Sequence, residues 1–143
     1  MELSYYNKWF SVSYDDFIKQ NKIDGKRINA DVRYEKITGA TRVDVSDGEF
    51  FFFKDGALRL IYISNDDVAE KLWISFTNAI DANRPEKTLR SRAGKTSNQL
   101  IFASHGLTAS LKGDSVDFVE IYPPCSLQKY LDEVYRDPGL FIK

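Results

Sequence analysis

The chain has 143 residues, of which 43% are hydrophobic and 14% aromatic, so it can bury one core and is too apolar to remain disordered. Twenty Lys and Arg residues against 21 Asp and Glu residues give a formal net charge of −1. That balance excludes the overall positive field that draws a protein to nucleic acid or to an anionic membrane. We expect a single α+β domain over residues 1–143.

The chain has a single cysteine, Cys125, and a single histidine, His105. One cysteine excludes an intrachain disulfide and the Cys-rich zinc patterns, and we expect neither a metal nor a cofactor. The first residues contain no basic segment followed by an apolar one, and no window approaches eighteen consecutive apolar residues. These features predict a cytoplasmic protein that does not enter a membrane.

The first half of the chain predicts two helices and four strands. Ser13 is a suitable N-cap for a helix over residues 13–23, and two short polar strands, separated by Gly39, follow it. The segment "EFFFFKDGALRLIYIS" predicts a β-hairpin that turns at Asp-Gly, because this dipeptide between β-forming residues favours a tight turn. Apolar residues at helical spacing then predict a second helix over residues 66–80, capped by Asn65 or Asp66.

Four consecutive phenylalanines, residues 50–53, make both faces of one predicted strand apolar. Successive side chains on a strand point to opposite faces, so Phe50 and Phe52 share one face and Phe51 and Phe53 share the other. We favour a strand that is covered on both sides over an exposed aromatic patch, since burial is the ordinary fate of phenylalanine.

The second half of the chain predicts four strands and a last helix. The strands cover residues 86–92, 98–104, 107–111 and 116–122, and their short connections make neighbouring strands antiparallel. Ser126 is a suitable cap for a helix over residues 126–135. The order of elements predicts an α+β fold, in which two to three helices pack mainly on one face of a mostly antiparallel sheet.

The segment "RSRAGKTS", residues 90–97, contains the Gly-Lys-Thr triplet of a phosphate-binding loop. Such a loop also needs a glycine five residues before Gly94, and residue 89 is leucine. The segment that follows Thr96 favours a strand, whereas a phosphate loop leads into a helix. We therefore expect a hairpin tip in which Gly94 has a positive φ and Lys95, Thr96, Ser97 and Asn98 face water.

The same segment belongs to a basic strip, in which five cations accompany one carboxylate between residues 84 and 95: Arg84, Lys87, Arg90, Arg92 and Lys95 with Glu86. On a strand, Arg90 and Arg92 would point to the same face and could clamp carboxylates, phosphates or an RNA backbone. The alternative is that they pair with acidic residues of the second half, such as Asp117 and Glu120. We take Arg90, Arg92, Lys95 and Thr96 as candidate binding residues.

Two further candidate sites are open. His105 and Cys125 could form a catalytic pair, because Cys125 leads into a helix N-terminus, where a thiol pKa can be lowered. The aromatic N-terminal residues Tyr6 and Trp9 could either pack on the core or bind a partner.

The sequence contains no complete catalytic constellation, so we expect a non-catalytic module that binds another protein with an acidic or mixed-charge surface. A small bacterial inhibitor or immunity-type protein is one concrete form, and a homodimer is also open. The alternative is an enzyme or binding domain for an anionic small molecule, using Arg90, Arg92, Lys95 and His105. RNA binding is a weaker alternative, since the aromatic motifs of RNA-binding sheets are absent.

Overall fold

The computed structural model describes residues 3–80 and 84–139, which form one eight-stranded antiparallel sheet and four α-helices. The helices are α1 (Leu3–Asn7), α2 (Tyr14–Gln20), α3 (Asp66–Ala79) and α4 (Leu127–Glu133). The strands are β1 (Ile28–Tyr34), β2 (Ile37–Ser46), β3 (Glu49–Lys54), β4 (Ala57–Ile63), β5 (Lys87–Arg90), β6 (Asn98–Phe102), β7 (Leu107–Lys112) and β8 (Ser115–Ile121). The α+β prediction is confirmed, with four helices where the sequence predicted two to three.

The sheet consists of two four-stranded meanders that meet at its centre. Its order is β1-β2-β3-β4-β8-β7-β6-β5, and α3 lies between β4 and β5 in the chain. Within each meander every strand pairs with its neighbour in sequence, because the connections are short turns. The two halves are joined by β4 and β8, which pair at Ile61↔Ile121, Tyr62↔Glu120 and Ile63↔Val119.

The predicted N-caps form at the starts of three helices. The side chains of Ser13, Asn65 and Ser126 accept hydrogen bonds from backbone N–H groups in the first turns of α2, α3 and α4. The β3–β4 hairpin turns at Asp55 and Gly56, whose φ values of 54° and 79° are those of a type I′ turn.

Helices cover the sheet unequally on its two sides. The first face, covered by α1, α2 and α3, carries Phe51 and Phe53, whereas the second face, partly covered by α4, carries Phe50 and Phe52. Phe51, Phe52 and Phe53 are all buried and Phe50 is half-buried. Burial of the phenylalanine run on both faces is therefore confirmed for three of its four rings.

The turn between β1 and β2 lies at Glu35 and Lys36, and the prediction that Gly39 separates these strands is wrong. Tyr34 pairs with Ile37 and Val32 with Ala40, so β2 contains one more residue than β1 between these two pairs. The extra residue makes a β-bulge, which a glycine with φ of 63° can accommodate. Gly39 therefore bends a strand instead of ending it.

None of the described helices is both long and apolar enough to cross a bilayer.

Gly106 should be the least replaceable glycine in the second meander. Its φ is 68°, and a Cβ there would lie 2.2 Å from the carbonyl oxygen of Tyr122. We predict that Gly106→Ala lowers the free energy of unfolding by about 3 kcal/mol, measured by urea denaturation. The matched control is Gly113→Ala, which has a similar φ of 61° with no atom within 4 Å of the added Cβ, and should cost only about 1 kcal/mol. Equal losses in the two variants would contradict the close approach at Gly106.

Candidate functional site

A buried carboxylate, Glu120, lies at the centre of the second face. Glu120 is on β8, where it is paired with Tyr62 of β4, and it is 1% exposed. Alternation along β8 puts it on the face that α4 covers, between Phe118 and Tyr122. A charge in this position must find donors inside the protein, because water cannot reach it.

Three side chains from distant parts of the chain surround the Glu120 carboxylate. The hydroxyls of Tyr34, from β1, and Tyr130, from α4, each donate a hydrogen bond to one of its oxygens. Arg92 donates from Nη2 to the Tyr34 hydroxyl at 2.8 Å, and its Nη1 lies 4.0 Å from Glu120 Oε2. Gln99 donates to the Tyr130 hydroxyl at 3.3 Å. We call Glu120, Tyr34, Tyr130 and Arg92 the carboxylate cluster.

The carboxylate cluster has competing electrostatic effects. Burial raises the pKa of Glu120 above its ordinary value, and the positive charge of Arg92 and the two tyrosine hydroxyls act in the opposite direction. Among the described residues, no buried side-chain nitrogen or oxygen is left without a hydrogen-bond partner. Glu120 lines neither of the two cavities described below. The geometry therefore assigns Glu120 a structural role.

A groove of about 480 Å³ lies between α4 and the turns β1–β2 and β3–β4. Tyr122, Pro123, Pro124, Cys125 and Tyr130 contribute to its wall. Its charged lining residues are four cations and two carboxylates: Lys36, Lys54, Arg59 and Lys129 with Asp132 and Glu133. We call this the basic groove, since cations outnumber carboxylates by two.

A second cavity, of about 300 Å³, lies on the same face, over the strands of the first meander. We call it the aromatic pocket. It is lined by aliphatic, aromatic and charged side chains: Val32, Arg33, Tyr34, Glu35, Arg42, Phe50, Phe52, Tyr62 and Arg92. Burial raises the pKa of Tyr62, and the adjacent Arg92 opposes that shift.

The structure separates the members of the predicted basic strip. Arg90 is exposed at the end of β5, with Nη1 3.6 Å from Asp137 Oδ1, whereas Arg92 lies beyond the strand and points into the carboxylate cluster. The expectation that the two arginines share a strand face is therefore wrong, because β5 ends at Arg90. Arg92 meets Glu120, one of the two carboxylates that the sequence offered, while Asp117 instead accepts from Ser110.

The hairpin tip departs from its prediction in two details. Gly94 is not among the described glycines with positive φ, and Ser97 is buried, where its backbone N–H donates to the Gly94 carbonyl oxygen. The tip needs no left-handed residue because this bond and the bond from Ser91 N to Ser97 O close it. Lys95 and Thr96 are exposed, as expected, and neither lines the groove or the pocket.

His105 and Cys125 do not line a common cavity. His105 is exposed in a short 3-10 turn, with its ring against Phe76 and Nδ1 3.4 Å from the Ser104 hydroxyl. Cys125 lines the basic groove, where burial raises the pKa of its thiol, contrary to the lowering expected at a helix N-terminus. A raised pKa leaves less of the reactive thiolate.

The N-terminal aromatic residues pack on the first face. Tyr6 is 1% exposed and donates a hydrogen bond to Glu49 Oε1 at 2.7 Å. Trp9 is half-buried, with its ring edge-on to Phe17 at 5.1 Å. Tyr6 therefore packs in the core, and almost none of its surface is left to bind a partner.

Sequence reasoning did not find the basic groove or the role of Tyr34 and Tyr130. Lys36 and Lys54 lie next to β-turns, and Lys129 is on α4, so no local pattern links them. The available signal was indirect: each of these three lysines lies at or near the end of an element and has one apolar or aromatic neighbour in the chain, Ile37, Phe53 or Tyr130.

Comparison of the chain with protein-family models, with curated proteins and with solved structures finds no significant match.

Removing both charges of the carboxylate cluster should cost less than the sum of the two single losses. We predict that Glu120→Gln lowers the free energy of unfolding by about 3 kcal/mol, because Arg92 loses its buried counter-charge. Arg92→Met should cost a similar amount. The loss in the double variant should be smaller than the sum of the two single losses by about 1 kcal/mol or more, measured by urea denaturation. Strict additivity would show that these side chains do not interact.

Alkaline pH should unfold the protein because its buried tyrosines ionise more readily in the unfolded chain. Burial raises the pKa of six tyrosines above the ordinary value of 10.0: Tyr6, Tyr34, Tyr62, Tyr122, Tyr130 and Tyr135. Above pH 10 the unfolded chain loses these protons before the folded chain does, so stability is retained below that pH and falls as pH rises above it. Tyrosinate absorbance and circular dichroism should change together. Ionisation that is complete while the protein stays folded would contradict this burial.

Proposed function

We propose that the chain is a non-catalytic binding module whose basic groove takes an acidic segment of another protein. The supporting observation is the groove itself, a concave surface with four cations against two carboxylates on a molecule whose net charge is −1. A local excess of positive charge in a concavity attracts an acidic partner and orients it. The partner is a protein, as expected from the sequence, but the proposed contact surface of this chain is the basic groove instead of the Arg90–Lys95 segment.

The cations of the groove are accessible to a partner at small cost. Among the described residues, neither Lys54 nor Lys129 forms an ion pair. Arg59 pairs with Asp55, at 3.8 Å and with both side chains exposed, an arrangement that contributes little to stability. Lys36 donates from Nζ to the Leu131 carbonyl oxygen at 2.7 Å, which holds this cation against α4. Carboxylates of a partner could therefore replace water around these groups.

The chemistry of the groove favours binding over catalysis. Its thiol, Cys125, has a raised pKa, and His105 does not line the groove to serve as its base. Nucleophilic catalysis needs such a base or a lowered thiol pKa. An inhibitor or immunity-type protein, which blocks an enzyme by charge complementarity, is the concrete form that we retain, and a reducing cytoplasm suits its single cysteine.

Reversing two charges in the groove should weaken the binding of an acidic peptide. We predict that a fluorescein-labelled octa-glutamate peptide binds the wild-type protein at low salt and that the double variant Lys54→Glu/Lys129→Glu weakens this binding roughly tenfold or more. Fluorescence anisotropy at several salt concentrations measures the affinity, which should fall as salt rises because the contact is electrostatic.

The matched control is Lys19→Glu/Lys112→Glu, which makes the same change of net charge with exposed lysines on α2 and β7, outside the groove. Equal weakening in the two double variants would show attraction to net charge alone and would overturn the groove as the site. If inorganic phosphate displaces the peptide when both are present at the same concentration of negative charge, the result would favour the alternative, a site for a small anion.

A further inference from the structure

The aromatic pocket presents flat rings between two guanidinium groups. Phe50 and Tyr62 are cross-strand partners on β3 and β4, with ring centroids 6.1 Å apart and planes only 11° from parallel. The Arg42 guanidinium carbon lies 5.1 Å from the centre of the Phe50 ring, and that of Arg92 lies 5.3 Å from the centre of the Tyr62 ring. Both rings are half-buried, so part of each is open to a ligand.

Both arginines are held in place before any ligand arrives. Arg42 donates to both oxygens of Asp44, at 2.7 and 3.2 Å, and Arg92 Nε lies 3.3 Å from Glu35 Oε1. The Arg92 guanidinium also lies over the rings of Tyr34 and Phe118, at 4.8 and 4.3 Å. Side chains fixed in this way lose little conformational entropy on binding, so the pocket is preorganised.

The charges around the pocket are balanced, which selects among flat ligands. Three arginines and one carboxylate line it, Arg33, Arg42 and Arg92 with Glu35. Two carboxylates outside the lining pair with these arginines, Asp44 with Arg42 and Glu120 with Arg92, and bring the local charge to balance. A nucleotide brings at least one phosphate and needs an excess of positive charge. An uncharged aromatic side chain needs only ring faces and guanidinium groups to stack on. The balance therefore favours an aromatic side chain over a nucleobase.

The pocket and the basic groove lie on either side of one two-residue turn. Glu35 lines the pocket and Lys36, its neighbour, lines the groove. Tyr34 lines the pocket, Tyr130 lines the groove, and both donate to Glu120. A single extended segment of a partner could therefore occupy both cavities.

We propose that the acidic segment of the partner carries an aromatic side chain, tryptophan or tyrosine, that seats in the aromatic pocket on Phe50 and Tyr62 while the neighbouring carboxylates occupy the basic groove. This inference rests on the proposed function and names the feature by which the partner is recognised. Aromatic anchors in preformed pockets carry much of the energy of protein interfaces, whereas peripheral charges mainly guide association.

Two peptides of equal charge test the proposal. One has a tryptophan at the centre of a run of eight glutamates, and the other has alanine at that position. The wild-type protein should bind the tryptophan peptide roughly tenfold more tightly, by fluorescence anisotropy. Phe50→Ala should abolish this difference and leave the affinity for the alanine peptide unchanged. The control Tyr5→Ala, which removes an exposed ring of α1, should preserve the difference.

Phe50→Leu guards against a folding defect, because it keeps an apolar side chain and removes the ring. It should also abolish the preference for tryptophan while its urea denaturation midpoint stays near that of the wild type. Equal affinity of the two peptides for the wild-type protein would overturn the aromatic anchor and leave the groove intact.

A probe without charge separates the two proposals. N-acetyl-tryptophan amide, titrated into the wild-type protein, should shift the NMR signals of the Phe50 and Tyr62 rings, and Phe50→Leu should remove the shift at Tyr62. If neither peptide binds, the proposed function fails, and absence of these shifts would overturn the pocket independently. Tighter binding of an octa-uridine oligonucleotide than of the tryptophan peptide, lost in Phe50→Leu, would overturn the aromatic side chain in favour of a nucleobase.

Discussion

The buried charge of Glu120 is the constraint on which the second face of the sheet depends. A carboxylate that is 1% exposed is costly to bury unless it is hydrogen-bonded and paired. Its hydrogen-bond donors come from β1 and α4 and its counter-charge from the loop after β5, so the requirement ties together three regions that are distant in sequence. The strand pairing at the centre of the sheet joins its two halves, and the carboxylate cluster joins them again on the second face.

This constraint decides which residues remain for a partner. Tyr130 orients α4 through its bond to Glu120, and α4 forms one wall of the basic groove. Arg92 donates a hydrogen bond to Tyr34 and forms ion pairs with Glu35 and Glu120. It therefore neutralises buried charge and also forms one wall of the aromatic pocket. Arg92, which the sequence suggests as a contact residue for a partner, is thus mainly a counter-charge for Glu120. The cations of the basic groove are the better candidates for contact with a partner.

Local interactions were predictable from the sequence, and non-local ones were not. The Asp-Gly turn, the caps at Ser13, Asn65 and Ser126, and the antiparallel order of the last four strands depend on residues close together in the chain. The turn at Glu35 and Lys36 was missed because a bulge put Gly39 inside β2. The groove was missed because pairing of β4 with β8 and docking of α4 bring its lysines together, and neither contact has a local signal.

The most direct test of the account is a map of the contact surface by ¹H–¹⁵N NMR, with the octa-glutamate peptide titrated into the uniformly labelled protein. The account predicts that backbone amide shifts concentrate at Lys36, Lys54, Arg59 and Lys129, around the basic groove. Shifts confined to the Arg90–Thr96 segment, with the groove amides unchanged, would contradict it and return the contact surface to the basic strip.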